Sequence, residues 1–166
     1  MEAEKLIQKM VAYYSGDPKR IQHFIKVYSF ASLIGKEEKL EGNMQFILET
    51  AAIVHDIGIK AAEMKYQSAS GNYQELEGPP IAEKMLTELC YPSNVIERVC
   101  YLVGHHHTYN EIDGLDYQIL VEADFLVNMY EDEMGANAIN YALNKIFRTK
   151  TGIKLCKTIF DLDDSY

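Results

Sequence analysis

The sequence AAIVHDIG, residues 51–58, places a histidine and an aspartate directly after a run of small and apolar side chains. The preceding letters, MQFILET, extend this run backwards with few polar groups, so we predict a buried helix capped by Asn43. A buried carboxylate beside an imidazole is unfavourable unless both groups find strong partners. Fold and function are therefore expected to depend on what His55 and Asp56 contact.

Helical periodicity runs through nearly the whole chain, with Gly, Pro, Asn and Ser between the helices and without the alternation typical of strands. Asp17 and Pro18 indicate the start of a second helix, which is expected to end at Gly35. The small and polar residues of the stretch 57–78 predict a long loop that covers a site. The sequence predicts an all-α fold, with residues 1–166 forming a single compact bundle of about six to eight helices.

Composition narrows the possible partners and compartments. The 166 residues are 48% hydrophobic and carry a formal charge of -9, which opposes binding to duplex DNA or RNA. No run reaches the ~20 apolar residues that cross a bilayer, and acidic residues occupy the N-terminal positions where a signal peptide is basic. We therefore expect a cytoplasmic protein that binds neither membranes nor duplex nucleic acid.

Two histidines and two aspartates stand on apolar faces of three predicted helices, where polar groups need partners. Taken singly, each histidine could be a hydrogen-bonded core residue, and each aspartate could cap a helix or form an ion pair. Taken together, His23, His55, Asp56 and Asp124 form a ligand set that leaves coordination positions open for water. We predict a catalytic divalent metal ion here, with Mn, Fe, Zn, Mg, Co and Ni as the candidates.

The segments RIQHFIKV, AAIVHDIG and LVEADFLVN resemble, in this order, the His, His-Asp and Asp motifs of the HD-domain superfamily of metal-dependent phosphohydrolases. The resemblance covers a motif core of about residues 17–131, and predicted helices at 136–160 follow it. It implies an all-helical HD-type domain. The residues that match metal-ligand positions of the family pattern are His23, His55, Asp56 and Asp124.

The histidine triplet 105–107, at the end of an apolar helix, indicates a possible second metal site. Three adjacent imidazoles cannot all point the same way, so at most two serve one site. The alternative is a solvated helix end, where histidines interact favourably with the helix dipole. The resemblance to two-metal members favours His106, followed by His105. Those members carry a middle histidine that is absent here; Glu77 is the nearest oxygen ligand, or else an exposed acid at a helix start.

The resemblance implies hydrolysis of a phosphoester of a nucleotide or another small phosphorylated metabolite, with Asp56 at the centre of the chemistry. Lys60 and Arg20 are the basic residues best placed to assist the phosphate, unless they pair with nearby acids. Substrate contacts are expected from polar residues of the predicted loop, namely Lys65, Tyr66, Ser68, Ser70, Asn72 and Tyr73.

Two other functions are consistent with the same residues. A non-catalytic regulatory domain would use the cluster for stability or to bind a metal or a nucleotide. An HD-fold di-iron oxygenase would use the histidine triplet in a second iron site, although the missing middle histidine counts against it. The sequence after the triplet, TYNEIDGLDYQ, lacks the GYP motif of the cyclic-dinucleotide phosphodiesterase branch, so membership of that branch is not predicted.

Overall fold

The computed structural model describes residues 2–162, and this range contains nine α-helices and no strand, which confirms the predicted all-α fold. The helices are α1 (Glu2–Tyr13), α2 (Pro18–Glu37), α3 (Gly42–Val54), α4 (Ile59–Tyr66), α5 (Gly71–Glu88), α6 (Ser93–Val103), α7 (Leu115–Glu131), α8 (Ala136–Ile146) and α9 (Lys150–Ile159). The number exceeds the expected range because α4 forms within the predicted loop. Within these residues, no helix is long and apolar enough to span a bilayer.

The start of α2 agrees with its sequence signals. Asp17 caps the helix, because its Oδ1 accepts a hydrogen bond from the backbone N–H of Arg20 at 3.1 Å, and Pro18 occupies the first turn. The helix continues past Gly35, where a Cβ atom would lie only 2.2 Å from Gln45 Oε1 of α3. The glycine at this position therefore allows close packing of α2 on α3, and does not end the helix.

α3 is the enclosed helix of the bundle. It packs against α1, α2, α6 and α7, and every residue from 50 to 54 is buried. Its N-cap is Glu41, so Asn43 lies in the first turn and is not the cap that the sequence predicted. The burial follows from composition, because the second half of α3 has almost no polar side chain to present to water.

The prediction of a long loop over 57–78 is wrong. This stretch forms α4, a short connection at 67–70 and the first two turns of α5. Pro79 and Pro80 consequently lie inside α5, although a proline pair is normally read as a helix start because proline lacks the backbone N–H. Side chains of the first turns of α5 bind residues 107 and 108, because Glu75 accepts hydrogen bonds from the His107 backbone N–H and the Thr108 hydroxyl.

Two glycines allow α5 to approach the turn that follows α3. A Cβ atom on Gly58 would lie 2.5 Å from the Gln74 carbonyl oxygen and 2.8 Å from the Gly78 nitrogen. A Cβ atom on Gly78 would in turn lie 2.6 Å from Val103 Cγ1. Such distances exclude a larger residue unless the backbone shifts. This contact holds in place the turn 55–58, which carries the His-Asp pair.

We predict that Gly58→Ala lowers the free energy of unfolding by about 1–3 kcal/mol, because the added methyl group must separate two backbone segments. Gly42→Ala is the matched control, since a Cβ atom at Gly42 meets no atom within 4 Å. The control should be unchanged or slightly more stable. Urea unfolding followed by circular dichroism measures both variants, and equal stability of the two would contradict the close contact.

Candidate metal centre

The four side chains predicted to share a metal ion lie together in the centre of the bundle. His23 comes from α2, His55 and Asp56 from the turn after α3, and Asp124 from α7. His23 Nε2 is 3.2 Å from His55 Nε2, 3.3 Å from Asp56 Oδ2 and 3.2 Å from Asp124 Oδ1. His55 Nε2 is 3.4 Å from Asp56 Oδ2 and 3.6 Å from Asp124 Oδ1. Ligands bonded to one ion at about 2.1 Å are separated by about 3.0–3.5 Å, so this spacing suits a single ion.

Hydrogen bonds on the far side of the rings determine which histidine nitrogens face the cluster. His55 Nδ1 donates to the Ala52 carbonyl at 2.8 Å, and His106 Nδ1 donates to the Val103 carbonyl at 2.9 Å. A carbonyl oxygen only accepts, so each Nδ1 carries the proton and Nε2 of the neutral ring carries a lone pair. These lone pairs face carboxylate oxygens, and such an arrangement requires a cation.

His23 is oriented by Glu131, which the sequence analysis did not identify. His23 Nδ1 lies 2.9 Å from Glu131 Oε2, and the other carboxylate oxygen accepts from Lys26 Nζ at 2.6 Å. A carboxylate that accepts from the far nitrogen of a ligating histidine directs its lone pair and makes the ring a stronger ligand. Helical spacing could have indicated Glu131 in the sequence, because it follows Asp124 by seven residues and therefore shares its face of α7.

Asp56 also belongs to a second group of ligands, with His106 and His107. One ligand atom from each of these three residues lies within 4.8 Å of the others. His106 Nε2 is 3.4 Å from Asp56 Oδ1, whereas His23 and His55 face Oδ2. His106 is buried, and its Nε2 has no hydrogen-bond partner within residues 2–162. The two oxygens of Asp56 thus face separate ligand groups, as in a carboxylate that bridges two ions.

The histidines of the triplet have three different environments. His106, which the sequence favoured, joins Asp56. His105 stacks on Tyr101 with ring centroids 4.1 Å apart, and its Nδ1 donates to the Tyr101 carbonyl, so the structure does not bring it to the cluster. His107, which the sequence did not favour, does reach the cluster. Burial and the nearby His106 lower the pKa of His107 to about 4. Its ring is therefore neutral at physiological pH, as a metal ligand must be.

Glu77 and Lys60 have other partners. Glu77 accepts hydrogen bonds from Lys65 Nζ and Tyr66 OH, both at 2.8 Å, because helical α5 holds it against α4. Lys60 Nζ donates to the Tyr13 carbonyl at 3.2 Å and lies over the aromatic ring of Tyr13. The structure therefore does not bring either side chain to the cluster, in contrast to what the sequence suggested.

The cluster opens into a cavity of about 440 Å³, a size suited to a small metabolite. Its walls include His23, Asp56, Gln74, His107, Asn128 and Glu131. Arg20 lines the cavity, in the place expected of a residue near the phosphate, but its guanidinium pairs with Asp17 and Glu63. From the stretch 57–78, predicted to be a loop that supplies substrate contacts, Ile59, Ala69 and Gln74 line the cavity. The six polar residues named for that role do not.

Burial and the neighbouring charges shift the pKa of each of the four ligands in opposite directions. Burial alone would raise the pKa of Asp56 and Asp124, but the neighbouring histidines hold both values below the ordinary range. Burial alone would lower the pKa of His23 and His55, but the two carboxylates raise both. The cluster therefore attracts positive charge, as protons on the histidines or as a divalent ion, and the donor set fits such an ion.

Comparison with known proteins places these observations in a family. The sequence model of the HD domain family matches residues 20–145 of this chain, a range that contains both ligand groups. The crystal structure of a predicted HD superfamily hydrolase from an uncultured Thermotogales bacterium has the same fold, with a TM-score of 0.70 at 23% sequence identity. The match covers 95% of this chain and 84% of that chain. Among curated proteins, none is significantly similar in sequence.

We predict that Glu131→Ala weakens Mn²⁺ binding by about 10- to 100-fold, because His23 loses the carboxylate that orients its ring. Calorimetric titration of the metal-free protein with Mn²⁺ measures the affinity. Glu97→Ala, which removes an exposed acid from α6, is the control and should bind as the wild type does. An unchanged affinity in Glu131→Ala would contradict the orienting role.

We predict that the metal-free protein loses thermal stability as the pH rises above about 6.5. The folded state raises the pKa of His23 and His55 above their ordinary 6.5, so their contribution is complete below that pH and disappears as the pH passes the raised values. The Mn²⁺-loaded protein should show the opposite trend, because metal binding requires deprotonated ligands. Melting temperatures between about pH 6 and pH 9 test this, and parallel trends in the two forms would contradict it.

Proposed function

The chain belongs to the HD-domain family, and we propose that it is a metal-dependent phosphohydrolase that cleaves a phosphoester of a nucleotide or another small phosphorylated metabolite. The observation that supports the proposal is the position of Asp56, whose two oxygens face separate histidine groups beside a cavity. Such a site suits a reaction in which water attacks phosphorus.

A divalent ion held by His23, His55, Asp56 and Asp124 would supply Lewis-acid polarisation of a phosphate oxygen and lower the pKa of a coordinated water molecule. The chain supplies charge and orientation. Both aspartates stay ionised at neutral pH because the histidines lower their pKa, so they retain the charge that attracts the ion. Asn128 Nδ2 donates to Asp124 Oδ1 at 2.9 Å and fixes the direction of that carboxylate.

His107 and Arg20 have distinct roles in this proposal. His107 donates from Nε2 to Gln74 Oε1 at 2.9 Å, and its pKa of about 4 leaves the ring uncharged at neutral pH, without an acidic proton to transfer. We therefore assign His107 to the second ligand group and not to general-acid catalysis. Arg20 provides a fixed positive charge on the cavity wall, held in place by its carboxylate partners.

The position of Asp56 between two ligand groups would also suit a pair of irons, so an HD-fold di-iron oxygenase is the second candidate. Protein purified with bound iron and a mixed-valence electron paramagnetic resonance signal would favour the oxygenase. Release of phosphate from esters in the presence of Mn²⁺ would favour the hydrolase. A non-catalytic domain predicts a third result, in which a chelator lowers the melting temperature and no ester is turned over.

We predict that Asp56→Asn lowers the rate of phosphoester hydrolysis by more than about 100-fold, a larger loss than for a residue that only orients a ligand. The change removes the charge between both ligand groups and leaves the shape of the side chain. Hydrolysis of p-nitrophenyl phosphate and of nucleotides with Mn²⁺ measures activity, elemental analysis measures metal content, and circular dichroism verifies helicity. Wild-type metal content and turnover in this variant would contradict the proposal.

A further inference from the structure

We propose that the site selects phosphomonoesters that carry no second anionic group. This inference rests on the proposed function and adds the substrate class to it. It follows from the charges around the cavity, where carboxylates outnumber and neutralise the cationic side chains. Glycerol phosphate, a sugar phosphate or a nucleoside monophosphate meets this condition, whereas a phosphorylated carboxylic acid or a nucleoside diphosphate does not.

The charge of the site is negative before any ion binds. In the described part of the chain, the cationic side chains that line the cavity are Lys19 and Arg20. Four carboxylates line it, and Asp124 is a fifth within the cluster; the four are Asp17, Asp56, Glu131 and Asp132. Five negative and two positive groups leave a net charge of -3, so even two divalent ions would bring the site only to +1. The two negative charges of one phosphomonoester already exceed this value.

The charge of Arg20 is already offset by two carboxylates. Its Nη1 donates to Asp17 Oδ2 at 2.8 Å, and its Nη2 donates to Glu63 Oε1. A guanidinium recognises phosphate or carboxylate through paired N–H donors, and here one donor on each terminal nitrogen already serves a carboxylate. A second anionic group on the substrate would have to compete with both.

The remaining cations near the cavity do not change this balance. Lys26 Nζ is 2.6 Å from Glu131 Oε1, and Lys60 Nζ donates to a backbone carbonyl away from the cavity. Lys19 is exposed, and the exposed Asp132 places the opposite charge on the same cavity. A second carboxylate or phosphate on the substrate would meet Asp132 as well as Lys19, and these two residues together add no net positive charge to offset the repulsion.

Glycerol phosphate and phosphoglycerate form a suitable pair of probes, because they have similar size and differ by one carboxylate. We expect the Mn²⁺-loaded protein to bind glycerol phosphate at least about tenfold more tightly, with a ratio that shrinks at high salt. Calorimetry gives the two Kd values without requiring turnover. Release of inorganic phosphate gives kcat/KM for the same two compounds.

Two variants should reduce the discrimination between the probes. Glu63→Gln releases Nη2 of Arg20, and Asp132→Asn removes a negative charge from the cavity wall. Each is expected to narrow the Kd ratio by about three- to tenfold through tighter binding of phosphoglycerate, a gain that unfolding cannot produce. Glu97→Gln, which removes one exposed charge from a separate groove beside α6, is the matched control and should leave the ratio unchanged.

The outcomes separate this inference from the proposed function. Equal affinity for the two probes, or an unchanged ratio in both Glu63→Gln and Asp132→Asn, would overturn the selectivity. Similar kcat/KM for both esters would also overturn it, while the phosphohydrolase proposal would stand. Selective binding without turnover of these esters, p-nitrophenyl phosphate or nucleotides would support the selectivity and overturn the phosphohydrolase proposal. Failure to bind either probe would overturn the selectivity.

Discussion

The arrangement of this protein depends on one electrostatic requirement, the need of buried lone pairs for a positive charge. His55 Nε2 lies 3.2–3.6 Å from another imidazole nitrogen and from two carboxylate oxygens, and its Nδ1 already donates to a carbonyl. Without a cation these atoms would repel one another in a medium of low dielectric constant. Since a whole domain is stable by only about 5–15 kcal/mol, such a repulsion could not persist, and the cluster must hold protons or a metal ion.

The bundle keeps these lone pairs together by fixing the turn after α3, which carries His55 and Asp56. Tyr14 OH donates to the backbone carbonyl of Asp56 at 2.6 Å, and Tyr13 OH donates to that of Ile57 at 3.2 Å. Gly58 and Gly78 let α5 press on the same turn from the other side. The backbone of this turn is thus held from two sides, so little side-chain entropy would be lost when an ion binds.

The sequence was sufficient to predict the features of the fold and site that follow from helix periodicity. His23 and Asp124 stand on apolar helix faces, and a buried polar group on such a face must meet another, so their convergence could be predicted. The stretch 57–78 was misread because small and polar residues are typical both of loops and of closely packed helices. The partners of Glu77 and Lys60 depend on how α4 and α5 pack, and no local pattern encodes that packing.

The charge distribution also bears on the order in which an ion and a phosphate would bind. A chain of net charge -9 repels anions at long range, and the groups of the cluster and its cavity are themselves net negative. Under the proposed function, attraction of a phosphate would be local and would come mainly from the ion, because Arg20 is paired with carboxylates. The ion would then bind before the phosphate, and loss of the ion would remove both the catalyst and the attraction for the substrate. Ion and substrate affinity would consequently be coupled through the same carboxylates, which attract the first and repel the second.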